Sequence, residues 1–266
     1  MTNFFKRRYD VYVYDPGIKH VDFPDEPNVK KVDNLNEKKV DMAVICVPTK
    51  MNDDGSCDTS IVIDTMMKLK TELVLIKSTV TVGTMDSIKK FFPKKLVFSP
   101  EFIGESSYWS THKFDREVVE TPWFIFGGDK KDCSEVIDIF LPITGPEKEY
   151  KITDYRTAEL TKYTENIFAA VKITFCNELY DICEKFGVDY NEMRDLWLLD
   201  PRVNKMHTAV FKDKRGYGGK CLCKDINGIV NASIKKGYVP KLLKKSIEVN
   251  EEIVRRNKNN ENIKFL

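Results

Sequence analysis

One apolar stripe limits the folds open to this chain more than any other feature. Leu160, Tyr163, Ile167, Val171, Phe175, Leu179, Ile182 and Phe186 recur at three- and four-residue spacing. That is the period of an α-helix with a buried face, and Gly187 supplies the left-handed residue that ends it. A helix of that length exceeds the ~8–20 residues usual in globular domains. It implies a spine that joins domains or packs against a second copy, because one small core does not cover both of its sides.

Before the stripe the period is different. Short apolar runs alternate with helical stretches, the pattern of βαβ units and a parallel sheet. Strands are expected at 9–14 (YDVYVY), 41–47 (DMAVICV), 72–76 (ELVLI), 95–98 (KLVF) and 123–126 (WFIF). Helices are expected at about 59–70, 85–92 and after Asp129. The polar stretch 24–39 carries at most one short strand. Beyond the long helix, further helices are expected at 190–199, 225–236 and 241–256, with a frayed, asparagine-rich end. The domains are 1–153, α/β, and 154–266, helical.

Composition excludes more than it selects. A net charge of +2 over 266 residues gives no general attraction to nucleic acid or an anionic membrane. No apolar run approaches the ~18 residues needed to span a bilayer, and no signal-peptide pattern opens the chain, so a cytoplasmic protein is expected. Seven cysteines without recurring spacing fit reduced thiols. The histidines, His20, His112 and His207, share no motif, and no metal site is expected.

Chemistry concentrates in four segments. In Gly216-Tyr217-Gly218-Gly219-Lys220-Cys221-Leu222-Cys223-Lys224-Asp225, a thiol follows a glycine turn at what reads as a helix start. Lysines and a helix N-terminus both favour the nucleophilic thiolate. Lys162 and Asn166 stand one turn apart at the margin of the long apolar stripe. Ser99-Pro100-Glu101-Phe102-Ile103-Gly104-Glu105 and Lys77-Ser78-Thr79 each follow a strand, where open α/β sheets place ligands. Each alone has a plain structural reading: a solvated lysine, an acidic loop, a helix N-cap at Thr79.

In this order the segments resemble the UDP-glucose/GDP-mannose dehydrogenase family. The resemblance runs through Val47-Pro48-Thr49, KSTVTVGT at 77–84, SPEFIGE at 99–105, AELTKYTENIFAAVKITFCNEL at 158–179, DPR at 200–202 and GYGGKCLCKD at 216–225. It implies a Rossmann-like parallel sheet followed by a helical central domain that dimerises. It also implies oxidation of a nucleotide-sugar alcohol to a carboxylate with two hydride transfers to NAD. Cys221 would form the thiohemiacetal and thioester, with Lys162 and Asn166 stabilising the oxyanion. Asp225 and Thr79 would hold a water whose proton goes to Glu101 or Glu105. Substrate would meet Glu101, Phe102, Ile103, Gly104, Arg202, Tyr217, Gly218 and Gly219. NAD would meet Asp15, Lys19, Pro48, Thr49, Thr79 and Lys224. The wording of GYGGKCL and FIGE lies nearest the UDP-glucose branch, and the partner implied is a second copy joined through the long helix.

Two departures accompany the resemblance. The family opens with a strand and a G-x-G-x-x-G turn that holds the NAD pyrophosphate; no such motif occurs in the sequence. The expected sheet therefore lacks its first strand and glycine loop, leaving the strand at 9–14 either paired directly with the strand at 41–47 or loosely held. The third, nucleotide-sugar-binding domain is also not seen. Weak NAD binding is expected, and the alternative to an active enzyme is a non-catalytic remnant that keeps the dimerisation core.

Overall fold

A computed structural model describes residues 1–17, 26–103 and 117–263, with side chains to Asn257. The chain divides into two compact units. The first comprises Met1–Thr49 and Asp58–Lys162, the second Lys50–Cys57 and Tyr163–Leu266. The division between these units falls inside the long helix, after Lys162.

In the first unit, five strands form one sheet: β3 (Met42–Ile45), β4 (Leu73–Ile76), β5 (Lys95–Phe98), β6 (Trp123–Gly128) and β7 (Glu149–Thr153), adjacent in that order. Alternation along the strands sorts the core into two layers. Val74, Ile76, Leu96 and Phe98 face α2 (Ser60–Lys68) and α3 (Thr84–Lys89), through Val62, Met66, Met85 and Ile88. Leu73, Leu75 and Val97 face α1 (Thr2–Phe5) and α4 (Lys130–Thr144), through Phe4, Phe5, Val136 and Phe140. A sheet covered on both faces explains why its central strands read as unbroken apolar runs.

The sheet is parallel in the main, as expected, with two features the sequence did not announce. β6 runs antiparallel to β5 while the remaining pairs are parallel. β7 was not expected at all: its sequence, EYKIT, is polar and half-exposed, as suits an edge strand. At the other end, β1 (Val11–Val13) and β2 (Val29–Lys31) pair in parallel as a separate two-stranded sheet. The strand at 9–14 is therefore neither paired with β3 nor loose. Phe4 and Phe5 are buried against Phe140 and anchor the segment that leads into it.

The long helix, α5, runs from Tyr155 to Phe186. Asp154 caps its start by accepting from the Thr157 N–H at 3.0 Å. Its end is a Schellman motif: Gly187 takes φ +67°, its N–H donates to the Glu184 carbonyl, and the Val188 N–H donates to the Cys183 carbonyl.

In the second unit, α5 packs with α6 (Tyr190–Trp197), α7 (Lys220–Lys235) and α8 (Lys241–Ile263). The helix expected to start at Asp225 starts five residues earlier, at Lys220, so Cys221 lies within its first turn. α8 continues through the stretch expected to fray. The small hairpin 50–57 joins this unit through α7: Asn231 Nδ2 donates to the Asp54 carbonyl at 2.8 Å. The apolar stripe of α5 splits in two. Tyr163 is buried and Ile167 and Leu179 pack into helical cores, whereas Phe168 (66% exposed), Phe175 (49%) and Ile182 (49%) stay outside at seven-residue spacing.

Candidate active site

In the first unit, two strand ends bring charge together. Lys77 directly follows β4 and Ser99 directly follows β5, two neighbouring strands of the sheet. Lys77 is only 6% exposed, and its ammonium donates to the Pro100 carbonyl at 3.0 Å and to Ser99 Oγ at 3.4 Å. A buried cation needs a counter-charge; Glu101 Oε2 lies 3.5 Å away. Glu101 Oε1 also accepts from the N–H groups of Phe102 and Ile103 at 2.9 and 3.2 Å. Burial alone would raise this carboxyl, but the Lys77 charge and those two amides bring it below its ordinary range. Lys77 belongs to the KSTVTVGT segment, yet sequence reasoning gave it no role; its signal was a lysine directly after an apolar strand.

Beside this cluster, Lys162 Nζ sits 5.4 Å from the Phe102 ring centroid, within cation–π reach. One turn earlier on α5, Glu159 is fully buried, its oxygens accepting from the Gly83 and Met85 N–H groups at the start of α3. Thr79 is half-buried on the segment between β4 and α3, and the Ser78 hydroxyl donates to the Val47 carbonyl at 2.7 Å, tying that segment to the end of β3. Pro48, exposed, and Thr49, half-buried, follow there. Asp15 is exposed just past β1, its Oδ1 accepting from the Gly17 N–H at 2.8 Å. Ile103 packs on the core. Lys19, Gly104 and Glu105 lie outside the described residues.

In the second unit, a polar contact joins α5 to α7 beside their shared apolar core. Asn166 Nδ2 donates to Asp225 Oδ2 at 2.5 Å, while Lys224 Nζ donates to Asp225 Oδ1 at the same distance. Asp225 is 1% exposed, so both of its oxygens need such partners. Cys221 stands four residues before Asp225 on α7, hence on the same face, and is exposed at the helix start. Gly219 caps the helix with φ +80°.

Three of the expected site residues have partners within the chain. The Tyr217 ring is buried in the core with Ala170 and Ile226, where it anchors the turn. The Lys224 ammonium is turned inward onto Asp225. Arg202 is exposed and closes a fork on Asp200 of its own DPR turn, with Nη2 2.6 Å from Oδ2. Gly218 has neither a positive φ nor any atom within 4 Å of where a Cβ would stand, so nothing in the chain itself requires glycine there.

A doubly wound α/β unit with charged strand ends, and a helical unit with a thiol at a helix start, define a dehydrogenase-like two-part architecture. Comparison with known proteins makes it specific. Residues 14–143 match the NAD binding domain of the UDP-glucose/GDP-mannose dehydrogenase family, and residues 156–252 match its central domain. The chain belongs to that family. A UDP-glucose 6-dehydrogenase of Rickettsia bellii is 32% identical over 231 residues, 82% of this chain and 51% of the relative. UDP-glucose 6-dehydrogenase YwqF of Bacillus subtilis is 32% identical over 226 residues, 80% of this chain and 49% of the relative. The chain thus spans about half the length of these curated relatives. Among solved structures, the fold is shared with a UDP-glucose dehydrogenase from Pyrobaculum islandicum (TM-score 0.73, 24% identity, 85% of this chain and 54% of that one). It is also shared with a UDP-D-ManNAc dehydrogenase from Pyrococcus horikoshii (TM-score 0.76, 22% identity, 94% and 65%). No helix among the described residues is long and apolar enough to cross a membrane.

Proposed function

We propose that this chain acts in the NAD-dependent oxidation of a nucleotide sugar, UDP-glucose first among the candidates, to the uronate. The observation that carries the reading is the hydrogen bond from Asn166 to Asp225, which places an α5 amide and a buried carboxylate one helical turn from the Cys221 thiol. Membership of the family and relatives named UDP-glucose 6-dehydrogenase support it.

The residues present fit the ribose end of NAD: an exposed carboxylate at Asp15, past β1, suits a vicinal diol, and Pro48 and Thr49 line the end of β3. The pyrophosphate is less well served, because no G-x-G-x-x-G occurs in the sequence. When bound, NAD supplies the hydride acceptor for both oxidations. The chain's own part begins after the first, which turns the primary alcohol into an aldehyde.

Cys221, as thiolate, adds to that aldehyde carbon and forms a C–S bond, and the carbonyl electrons move onto oxygen. Lys162 and the second amide hydrogen of Asn166 stabilise that oxyanion, a role worth several kcal/mol, roughly, in a dry site. Loss of hydride from the same carbon leaves a thioester. Water held by Asp225 then attacks, Asp225 takes its proton, and the C–S bond breaks to return the thiol and release the carboxylate. Gly218, which the fold does not require to be glycine, gives the sugar close access to the backbone. The exposed Phe168, Phe175 and Ile182 face of α5 is proposed to join two copies.

The test is NADH absorbance with UDP-glucose and NAD, run beside Cys221→Ala. NADH formation that depends on Cys221 is expected. Full NADH formation and uronate yield by Cys221→Ala would overturn the role of the thiol.

A further inference from the structure

We infer that Asn177 of α5 and Asn250 of α8 are positioning residues for the Cys221 thiol. The inference rests on the role proposed above for that thiol. Both asparagines are at least nine-tenths buried; Asn250 spends its whole amide on the glycine turn that leads into α7, and Asn177 its Oδ1, while Asn177 Nδ2 donates to the Ile173 carbonyl at 2.9 Å. Asn250 satisfies one residue completely: the Tyr217 N–H donates to its Oδ1 at 2.8 Å, and its Nδ2 donates to the Tyr217 carbonyl at 3.0 Å. Only a carboxamide offers an acceptor and a donor side by side in this way.

Asn177 holds the preceding residues. Its Oδ1 accepts from the Gly216 N–H at 3.1 Å and from Arg215 Nε at 3.3 Å, and its backbone carbonyl accepts from Arg215 Nη2 at 2.7 Å. The same guanidinium donates to Asp181 Oδ1 at 2.5 Å and lies over the Tyr180 ring, 4.6 Å from its centroid. The fit leaves no slack at Gly216, where a Cβ would stand 2.8 Å from Asn250 Oδ1 and 3.0 Å from Val254 Cγ2, with φ at +80°.

Past this clamp the chain opens. A Cβ at Gly218 or Gly219 would meet nothing within 4 Å, and α7 begins at Lys220. The turn is therefore fixed on one side by two asparagines and on the other by the helix, with only the glycine pair between. Releasing the clamp lets the first turn of α7 fray and takes the thiol out of the field of the helix N-terminus, which favours thiolate.

The experiment compares alkylation rates of Cys221 and Cys46 by iodoacetamide in the full chain, without nucleotide, by peptide mass spectrometry. Those two are the exposed cysteines among the described residues, so Cys46 is an internal reference. Asn177→Leu and Asn250→Leu are expected to lower the Cys221-to-Cys46 rate ratio about two- to fivefold, the size of a lost helix-terminus interaction. Asn177→Asp, which keeps the acceptor for Gly216 and Arg215 and gives up only the Nδ2 donor to the Ile173 carbonyl within α5, is expected to retain the ratio. An unchanged ratio in a folded leucine variant overturns the inference, as does an equal loss in Asn177→Asp. If the leucine variants do not fold, Asn250→Asp, which keeps the acceptor for Tyr217 but not the donor, is expected to give an intermediate ratio, and an unchanged one overturns the inference. Because no turnover is measured, this outcome is separate from that of the Cys221→Ala assay.

Discussion

Glu159 Oε2 accepts the Gly83 N–H at 2.5 Å, so a carboxylate from the long helix closes the start of α3 from inside the protein. Burial raises this carboxyl from 4.5 to about 7, against the opposing pull of the Met85 and Gly83 amides, with Asp86 raising and Arg156 lowering it. Between those values the folded chain binds a proton that the unfolded chain has released. Stability from this group is therefore full below about pH 4.5 and is lost as pH rises through 7, by roughly 3 kcal/mol at most. Thermal melts of the parent and Glu159→Gln across pH 5 to 8 should show a difference that shrinks as pH rises, since the neutral variant lacks the titration. Parallel curves would remove Glu159 from this account.

The Lys77–Glu101 pair predicts the opposite dependence. Glu101 titrates below 4.5 in the fold, so its contribution is present above that value and is lost as pH falls through the folded one. Replacing Lys77 by Met leaves the carboxylate with its amides but without its cation. A loss of about 1–3 kcal/mol is expected in urea unfolding, reduced from the buried-pair range because the Glu101 side chain is 31% exposed. Lys77→Met combined with Glu101→Gln should recover part of it. Strict additivity in that cycle would mean the two charges do not couple.

Much of this was legible before any coordinates, and the misses have physical causes. β4 announced itself because both of its faces are buried, which turns a strand into the unbroken run Leu73 to Ile76. β7 did not, because an edge strand beginning Glu149-Tyr150-Lys151 is written in polar residues. The end of α5 was readable at Gly187, where backbone conformation dictates residue type. The start of α7 was misplaced because nothing in Gly219-Lys220-Cys221 resembles a side-chain cap; a glycine backbone at φ +80° performs that role. Cys221, Asn166 and Asp225 were picked out by motif. Lys77, Glu159, Asn177 and Asn250 were not, because their roles arise from tertiary hydrogen bonds between segments distant in sequence.

Lys224 and Asp225 form a buried ion pair whose halves do not stand alone. Asp225→Asn leaves a largely buried ammonium facing a neutral amide, and a destabilisation of roughly 3 kcal/mol is expected. Lys224→Met in the same chain should restore most of that loss, because two neutral side chains carry no desolvation penalty. Chemical denaturation of the two variants and the double variant decides it. A double variant no more stable than Asp225→Asn would mean that packing, not charge, sets the cost.

NAD affinity reports on the pyrophosphate. With no G-x-G-x-x-G among the 266 residues, the amides that usually neutralise that group are not encoded by the usual motif. Isothermal titration of the chain should give a dissociation constant in the high micromolar range or weaker. Ordinary low-micromolar binding would mean that other donors have taken over the role.

The outer face of α5 makes the last prediction. Phe168, Phe175 and Ile182 repeat every seven residues, the spacing of a seam between helices, and stand exposed while Tyr163 and Ala170 are buried in the chain's own core. Changing Phe168 and Phe175 to Glu costs the edge-on contact of the Phe175 ring with Trp197, 6.2 Å between centroids, and leaves the buried core on the other side of α5 in place. If the seam joins two copies, sedimentation of the parent chain at tens of micromolar should give a dimer and the double variant a folded monomer with unchanged circular dichroism. A parent chain that is monomeric at that concentration would rule the seam out. A variant that stays dimeric would place the interface on another surface.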